Sequence, residues 1–461
     1  MMRLLQIFPT SVFALLLSEV VLCTACFVAA TYLIYAPFGD EYLLSEGAWP
    51  NLVPAVGTVI LSFYYQDMYQ NLRIRSRMLL LQQLSLAIGV AFLVQSLLTY
   101  GRLDLMMPRQ IMLMGSILTV VVLGGYRLIY ASHLIGMMGR QRVLLLGRSA
   151  VLAEVAARIE ERMELGIQTV GFLDDREEPE RMGSLMRLGG VADLRRIVAE
   201  TKPDRVVVGM LDGWGPLPMM ELLNLRFEGL IIETAATAYE AVFGRLSIKE
   251  LQPAELVFSA ELRPNAGMMA IQQAYSMGLA AVGLVVALPV MSLVALAVRM
   301  SSAGPIFYRQ TRVGFLGENF TLYKFRSMGV NAEAGTGAVW AQKNDPRVTP
   351  LGKWLRKLRL DELPQLFNVL RGEMTMVGPR PERPEFVKML SEKIPYYRQR
   401  HYVRPGITGW AQINHKYGDT VEDTETKLEY DLYYIKRQSV ALDLYIMFQT
   451  VKVMLLSRGA Q

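Results

Sequence analysis

Long apolar segments constrain this chain more than any other feature, because crossing a bilayer takes about 20 consecutive apolar residues. Four apolar segments lie in the first third of the sequence, at residues 11–36, 50–65, 79–100 and 111–130, and all but the short second one reach this length. The chain is 52% hydrophobic and only 20% charged, which excludes a disordered protein and an ordinary soluble enzyme. We therefore expect a membrane protein whose residues 1–135 form four transmembrane helices.

The charges between these segments predict their orientation. The loop after the first segment contains Asp40 and Glu41 but no basic residue, whereas the next loop contains Arg73 and Arg75. Because basic loops stay on the cytoplasmic side, the N-terminus and the chain beyond residue 140 are predicted to be cytoplasmic.

Three residues inside the first segment are candidates for a functional role. Glu19 is an intramembrane carboxylate, and such a residue suggests the hypothesis of a transport function. An isolated acid at a contact between helices is the favoured interpretation. Cys23 and Cys26 form a CxxC pair without a second pair, so we expect buried structural cysteines and no redox or metal site.

Residues 140–260 have the alternating pattern of an α/β domain. Residues 142–147 (RVLLLG) are an apolar run that ends in glycine, which is typical of a buried parallel strand, and the region as a whole predicts a Rossmann-like domain. The turn after this strand has a single glycine, Gly147, where dinucleotide binding needs G-x-G-x-x-G. Asp174 lies where a ribose-binding acid would, which keeps nucleotide binding open. A regulatory or oligomerisation module is the favoured interpretation, and a homo-oligomer is left open.

A fifth apolar segment, residues 277–298, contains no charge and would be about 33 Å long as a helix. Crossing the membrane here would place Arg299 and Arg309 on the side opposite to the cytoplasm, against the distribution of basic residues. Pro289 lies near its middle, where it removes a backbone donor and bends a helix. We therefore expect a re-entrant helix that kinks at Pro289 and leaves the membrane on the side it entered.

Basic residues are concentrated after this segment, and an acid pair lies among them. Such clusters bind phosphate groups or an anionic membrane surface. Asp361 and Glu362 precede Leu363 and Pro364. This pair can hold a divalent metal and supply a nucleophile, or Asp361 can simply cap a helix that begins near Pro364. The local spacing leaves both interpretations open.

Four motifs in this region occur in the order found in one known family. They are KFRSM at 324–328, LDELPQ at 360–365, VGPRP at 377–381 and RPGITGW at 404–410. With them, residues 265–461 resemble the catalytic domain of the monotopic phosphoglycosyl transferases, the bacterial polyprenyl-phosphate sugar phosphotransferases. Four N-terminal helices and a degenerate Rossmann-like domain resemble the large members of that family. The resemblance implies α plus α/β architecture with a mainly helical monotopic catalytic domain.

The resemblance also implies a mechanism. Asp361 would attack the β-phosphate of a UDP-sugar and release UMP, and polyprenyl (undecaprenyl) phosphate would then attack the phosphosugar held on the aspartate. Mg²⁺ would be held by Asp361 and Glu362. Arg380 matches the family's phosphate-binding arginine. Further candidates for contact with the substrate are Lys324, Arg326, Arg359 and Arg404.

The family resemblance implies a multi-pass protein of the bacterial inner membrane that begins exopolysaccharide or O-antigen synthesis with its catalytic domain facing the cytoplasm. Its partners would be a UDP-sugar, polyprenyl phosphate and the bilayer, and a net charge of +6 does not indicate nucleic acid. A UDP-releasing glycosyltransferase and a non-catalytic scaffold for polysaccharide assembly remain alternatives, and no motif names the sugar. Near the C-terminus, Leu444, Phe448, Val451 and Leu455 share a helix face, for which membrane contact and core packing are both open.

Overall fold

A computed structural model describes residues 10–45, 48–66, 68–69, 77–101, 107–130, 141–162, 166–176, 181–209, 217–251, 265–330, 332, 345–415 and 420–455. The chain divides into two units, Met1–Ala238 and Tyr239–Gln461. Arg73 and Arg75, on which the predicted orientation depends, lie outside the described residues.

Four apolar helices open the first unit at the positions that the sequence predicts. They are α1 (Thr10–Tyr35), α2 (Leu52–Tyr65), α3 (Arg77–Gly101) and α4 (Arg109–Ile129). Their inward faces share one core, in which Phe27, Phe63 and Leu84 are fully buried. In this unit, residues 12–35 and 109–129 are long and apolar enough to cross a membrane, whereas α2 has 14 residues and the apolar part of α3 is residues 80–95. These apolar helices are consistent with a membrane protein, and the number of crossings stays a prediction.

Glu19 has a charged partner, so the prediction of an isolated acid was wrong. Its carboxylate accepts hydrogen bonds from Arg127 Nε at 2.6 Å and Nη2 at 3.0 Å, and from the Tyr69 hydroxyl at 2.6 Å. A buried carboxylate needs such a partner, because an unpaired charge away from water is costly. Arg127 lies 108 positions further along the chain, in the last turn of α4. Cys23 and Cys26 are buried and free, as expected.

The second part of this unit is a six-stranded sheet of order β3-β4-β2-β1-β5-β6, parallel except for β3. Its strands are β1 (Gln141–Leu146), β2 (Ile167–Leu173), β3 (Arg181–Met182), β4 (Leu185–Gly189), β5 (Arg205–Val208) and β6 (Ile231–Thr234). The helices between and after them are α5 (Ala150–Glu161), α6 (Leu194–Thr201), α7 (Met219–Phe227) and α8 (Ala235–Phe243), and the boundary between the two units falls within α8. The buried central strand β1 and the parallel crossovers confirm an α/β domain of Rossmann-like type.

The turn after β1 is built without a second glycine. Gly147 has φ +96°, and Ser149 caps α5 by accepting a hydrogen bond from Leu152 N. Asp174, the candidate ribose ligand, is buried with Arg148 Nε 3.7 Å from its carboxylate. Arg148 thus lies against the Asp174 carboxylate, and nucleotide binding stays a prediction.

One long helix, α9 (Ala266–Ser301), begins the second unit and contains the fifth apolar segment. It is 36 residues long, longer than predicted, because polar residues such as Gln272 and Ser276 extend it on its buried side. The Asn265 side chain caps it by accepting from Met268 N at 3.1 Å. The α-helix continues through Pro289, and the kink there stays a prediction.

The rest of the second unit is mainly helical, as expected, with two small two-stranded sheets. Strands β7 (Phe307–Val313) and β8 (Asn319–Phe325) are antiparallel, and β9 (Thr375–Val377) and β10 (Gly406–Thr408) are parallel. The helices are α10 (Pro350–Lys357), α11 (Gln365–Leu370), α12 (Pro384–Lys393), α13 (Trp410–Asn414), α14 (Val421–Arg437) and α15 (Val440–Leu455).

Helix α9 packs on this unit on both sides of Pro289. Before the proline, Ala280 packs in one hydrophobic cluster with Leu366 of α11. After it, Val298 packs in another cluster with Phe325 of β8 and Leu355 of α10. The opposite face of the helix is apolar and exposed, with Val285, Val286 and Leu293 between 68% and 73% accessible.

Candidate active site

The acid pair lies on a short 3₁₀ turn, Leu360–Glu362, between α10 and α11. Arg359 enters this turn with φ +56°, a left-handed conformation that is costly for a residue other than glycine. The helix α11 begins after Pro364 and receives no side-chain cap. Asp361 therefore does not cap it, and the capping interpretation of the acid pair was wrong.

Three cations from three parts of the unit converge on Glu362. Lys324 Nζ of β8 lies 2.9 Å from Glu362 Oε1, and Arg380 Nη2, which follows β9, lies 3.1 Å from the same oxygen. Arg359 Nη1 lies 3.4 Å from Oε2. These four residues form the Glu362 cluster, and three of the five predicted substrate-binding cations belong to it.

The two carboxylates of the pair have opposite electrostatic settings. Burial opposes ionisation of Glu362, but Lys324, Arg380 and Arg359 together hold its pKa well below the usual range. Burial raises the pKa of Asp361. The positive charge of Lys324 lowers this pKa, whereas the negative charge of Glu362 raises it further. Among the described residues, none donates a hydrogen bond to the Asp361 carboxylate. Asp361 is thus the unengaged anion of the pair, and Glu362 is the neutralised one.

Two predicted substrate residues, Arg326 and Arg404, hold backbone carbonyls instead. Arg326 is buried and donates to Ala303 O at 2.8 Å and to Ser302 O at 2.7 Å, so it caps the C-terminal end of α9. Arg404 Nε donates to Gly372 O at 3.1 Å, and its guanidinium lies 4.9 Å from the Phe315 ring centroid. The structure does not bring either to the Glu362 cluster, and their contact with a substrate stays a prediction.

The RPGITGW motif supports Arg380 from a neighbouring strand. Its residues 406–408 are β10, which pairs with β9 directly before Arg380. Gly378 N donates to Thr408 O at 2.8 Å, and Gly406 N donates to Pro379 O at 3.0 Å. Trp410 turns away, since its Nε1 donates to Gly244 O and its ring stacks on Tyr433. These contacts position a backbone segment, and a nucleotide pocket at this motif stays a prediction.

Three arginines near the site were not among the predicted site residues, although Arg312 and Arg356 belong to the basic clusters that the sequence shows after the fifth apolar segment. Arg400 donates to the backbone oxygen of Arg380 at 2.9 Å, and Arg312 donates to that of Pro381 at 3.0 Å. Arg356 of α10 donates to Ser327 Oγ at 3.0 Å and lowers the pKa of Asp361. In a sequence with 48 basic residues, only nearness to a motif could have singled them out.

Asp361 and Glu362 are the residues that would hold a magnesium ion, together with a phosphate ligand, and magnesium binding stays a prediction. Mg²⁺ at such sites takes one or two carboxylates and completes its shell with phosphate oxygens and water. Asp361 offers unengaged oxygens, whereas both oxygens of Glu362 face cations. The described part of the chain contains no group of three or more His, Cys, Asp and Glu side chains that could hold a metal. The described residues at the acid pair therefore do not form a metal site from protein ligands alone.

Two protein-family models match the chain. Residues 268–457 match the family described as bacterial sugar transferase, and residues 65–210 match the one described as CoA-binding domain. The first match contains the whole Glu362 cluster, and the second contains the strands β1 to β5.

Three curated relatives show where the similarity lies. A Bacillus subtilis (strain 168) protein named as an uncharacterized sugar transferase is 42% identical over 164 residues, which are 36% of this chain and 77% of the relative. A UDP-N-acetylgalactosamine-undecaprenyl-phosphate N-acetylgalactosaminephosphotransferase of Aeromonas hydrophila is 43% identical over 222 residues, 48% of this chain and 52% of the relative. An undecaprenyl-phosphate glucose phosphotransferase of Komagataeibacter xylinus is 34% identical over 328 residues, 69% of this chain and 60% of the relative. The chain spans little more than half the length of the last two.

Proposed function

This chain belongs to the bacterial sugar transferase family, and on that premise we propose that it transfers a sugar 1-phosphate from a UDP-sugar to undecaprenyl phosphate and releases UMP. The observation that carries the proposal is the unengaged Asp361 carboxylate beside the Glu362 cluster. In this role the protein performs the first membrane step of exopolysaccharide or O-antigen synthesis.

The transfer has two displacements at the same phosphorus atom. An oxygen of Asp361 attacks the β-phosphorus of the UDP-sugar, and the bond from that phosphorus to the bridging oxygen breaks, so that UMP leaves with the electron pair. A phosphate oxygen of undecaprenyl phosphate then attacks the phosphosugar on Asp361. The bond to the aspartate breaks, the carboxylate is restored, and an undecaprenyl diphosphate sugar is the product.

The Glu362 cluster prepares the site for a diphosphate. In its resting arrangement, Glu362 neutralises Lys324, Arg359 and Arg380. When the anionic substrate enters, these preorganised cations exchange one anion for another, which costs less than gathering them from water. The exchange also frees the oxygens of Glu362. When bound by Asp361 and Glu362, Mg²⁺ supplies further neutralisation of the diphosphate and of the departing UMP.

The packing of α9 supports a monotopic catalytic unit. Because the same unit covers one face of the helix before and after Pro289, the helix is best accommodated with its exposed face in one leaflet. Helix α15 presents a second apolar stripe, since Leu444, Phe448 and Val451 are 40–58% exposed. Core packing of these three residues was therefore the wrong alternative. We assign both faces to the cytoplasmic leaflet of the inner membrane, with four N-terminal crossings.

A re-entrant α9 predicts that both of its ends react from the cytoplasmic side. In a background with Cys23→Ser and Cys26→Ser, single cysteines are placed at the exposed positions Gly267 and Ala303. We expect both to react with a membrane-impermeant maleimide in inside-out vesicles and neither in right-side-out vesicles. A cysteine at Phe38, in the first loop, is the control with the opposite pattern. Labelling of positions 267 and 303 from opposite sides would show that α9 crosses.

Nucleotide release tests the function itself. Purified protein with Mg²⁺ and undecaprenyl phosphate is given a panel of UDP-sugars, and the nucleotide product is separated. UMP from one sugar is the expected result and names the substrate. UDP would make the protein a conventional glycosyltransferase, and no nucleotide from any sugar would favour the scaffold.

The charge of Glu362 predicts a shift in the pH dependence of kcat/KM, which reports the free enzyme. Asp361 attacks only when ionised, and its raised pKa moves the acid limb of the profile above that of an ordinary aspartate. Glu362→Gln removes a negative charge that raises the pKa of Asp361, so the acid limb of this variant moves to lower pH. Lys324→Gln removes a positive charge that lowers the same pKa, so the acid limb of that variant moves to higher pH. Each profile is normalised to its own maximum, and shifts in the same direction for both variants would contradict the assignment.

A further inference from the structure

The segment 378–382, which carries Arg380, is held in place by the backbone on both sides. Residues 378 and 379 are bonded to the neighbouring strand β10. At the other end, Val313 N donates to Glu382 O at 2.9 Å, which ties the segment to the end of β7. The carbonyl of Arg380 itself lies between these anchors and is bonded by a side chain, that of Arg400.

Arg400 lies on the short 3₁₀ helix Tyr397–Tyr402 and is only 6% exposed. Its guanidinium donates in three directions. Nη1 donates to the Tyr397 hydroxyl at 2.8 Å, Nε donates to Asp431 Oδ2 at 3.1 Å, and Nη2 donates to Arg380 O at 2.9 Å. Asp431 of α14 is buried as well, and its Oδ2 lies 2.8 Å from Nη2.

The bond to Arg380 O is not explained by charge. Asp431 already neutralises Arg400, and a buried ion pair is by itself weak evidence for stability. The carbonyl bond instead restricts the backbone from which the long and partly exposed Arg380 side chain extends towards Glu362. A planar guanidinium suits this task, because it can hold three acceptors in fixed directions, which an ammonium group cannot.

We propose that Arg400 is a positioning residue for the transfer, which acts through the backbone of Arg380 and aims the Arg380 side chain at the phosphates of the substrate. This inference rests on the proposed function, in which Arg380 binds those phosphates. Displacement of a positioned group by about 1 Å lowers a rate by about 100-fold, so a small change in this segment has a large effect.

A double-mutant cycle between Arg400 and Arg380 tests the proposal. Arg400→Lys keeps a positive charge beside Asp431 but loses the fork that reaches the carbonyl. We expect it to lower kcat/KM for the UDP-sugar by about 10- to 100-fold, mainly through KM, with an unfolding temperature within about 4 °C of wild type. In an Arg380→Ala background, the same change should lower kcat/KM by less than about 2-fold.

A matched arginine provides the control. Arg347 is also paired with a buried aspartate, since its Nη2 lies 2.6 Å from Asp345 Oδ2 and its Nε lies 2.9 Å from Asp345 Oδ1. Arg347→Lys should leave kcat/KM within about 2-fold of wild type in both backgrounds. An equal loss from Arg400→Lys with and without Arg380, or no loss at all, would overturn the proposal.

Two further measurements keep the test decisive. If Arg400→Lys does not fold, Tyr397→Phe weakens the orientation of Arg400 without touching Arg380, and a smaller loss that vanishes in the Arg380→Ala background is expected. If the wild-type protein releases no UMP from any UDP-sugar, the proposed function fails separately. The cycle is then measured by calorimetry on the binding of inorganic pyrophosphate. If Arg400→Lys weakens this binding only when Arg380 is present, the positioning role is supported, and an equal loss in the Arg380→Ala background refutes it.

Discussion

Replacing Asp361 with asparagine is expected to lower the transfer rate by at least about 10³-fold while leaving the fold intact. An amide has nearly the shape of the carboxylate but cannot attack phosphorus. Because no described residue donates a hydrogen bond to the Asp361 carboxylate, the substitution breaks no hydrogen bond of this side chain among the described residues. Burial raises the pKa of this carboxyl, so its ionised form costs stability at neutral pH, and the neutral amide should unfold at the same temperature or slightly higher.

The measurement pairs UMP release with thermal unfolding for wild type and Asp361→Asn. Glu385→Gln is the control, since Glu385 belongs to the same unit and its side chain is 62% exposed. The control should match wild type in both measurements. A variant at position 361 that keeps more than about a tenth of the rate would exclude the covalent role of Asp361. A variant that loses its rate together with its fold would leave Asp361 with a structural role instead.

Replacing Gly406 with alanine is expected to destabilise the catalytic unit by more than about 3 kcal/mol. A Cβ atom at this position would lie 2.0 Å from Gly378 N and 2.5 Å from Thr408 O. Both are backbone atoms of the β9–β10 pair, so the clash cannot be relieved by moving a flexible side chain. The glycine of this motif is thus required by the close approach of residues 377–378 to β10.

Gly329→Ala is the matched control for this substitution. A Cβ atom there meets nothing within 4 Å, and Gly329 lies in the same unit. We expect its free energy of unfolding to stay within about 1 kcal/mol of wild type. Unfolding of both variants is followed by circular dichroism in the same detergent. Equal stability of Gly406→Ala and wild type would show that the two strands can separate without loss.

Local patterns were sufficient for the positions of the apolar helices, for the α/β sheet and for the acid pair in its basic surroundings. Each of these depends on neighbours in sequence. A long run of apolar residues predicts an apolar helix even where its exact ends are uncertain. The short apolar run RVLLLG likewise predicts a buried strand from its own hydrophobicity. The order of the motifs identified the family and the acid pair within it. The roles of Asp361 and Glu362 differ only because different charges surround the two carboxylates, and only the structure shows those charges.

The sequence by itself therefore determined which segments form apolar helices, which fold as a sheet and which region matches the sugar transferase family. Only the tertiary structure decided which charges meet. Lys324, Arg359 and Arg380 reach Glu362, whereas Arg326 and Arg404, from equally basic motifs, bond to carbonyls. Glu19 and Arg127 pair across 108 positions. The physical reason is that hydrophobicity acts through local periodicity, whereas a charge pair depends on distances of a few ångströms that arise only when separate elements pack.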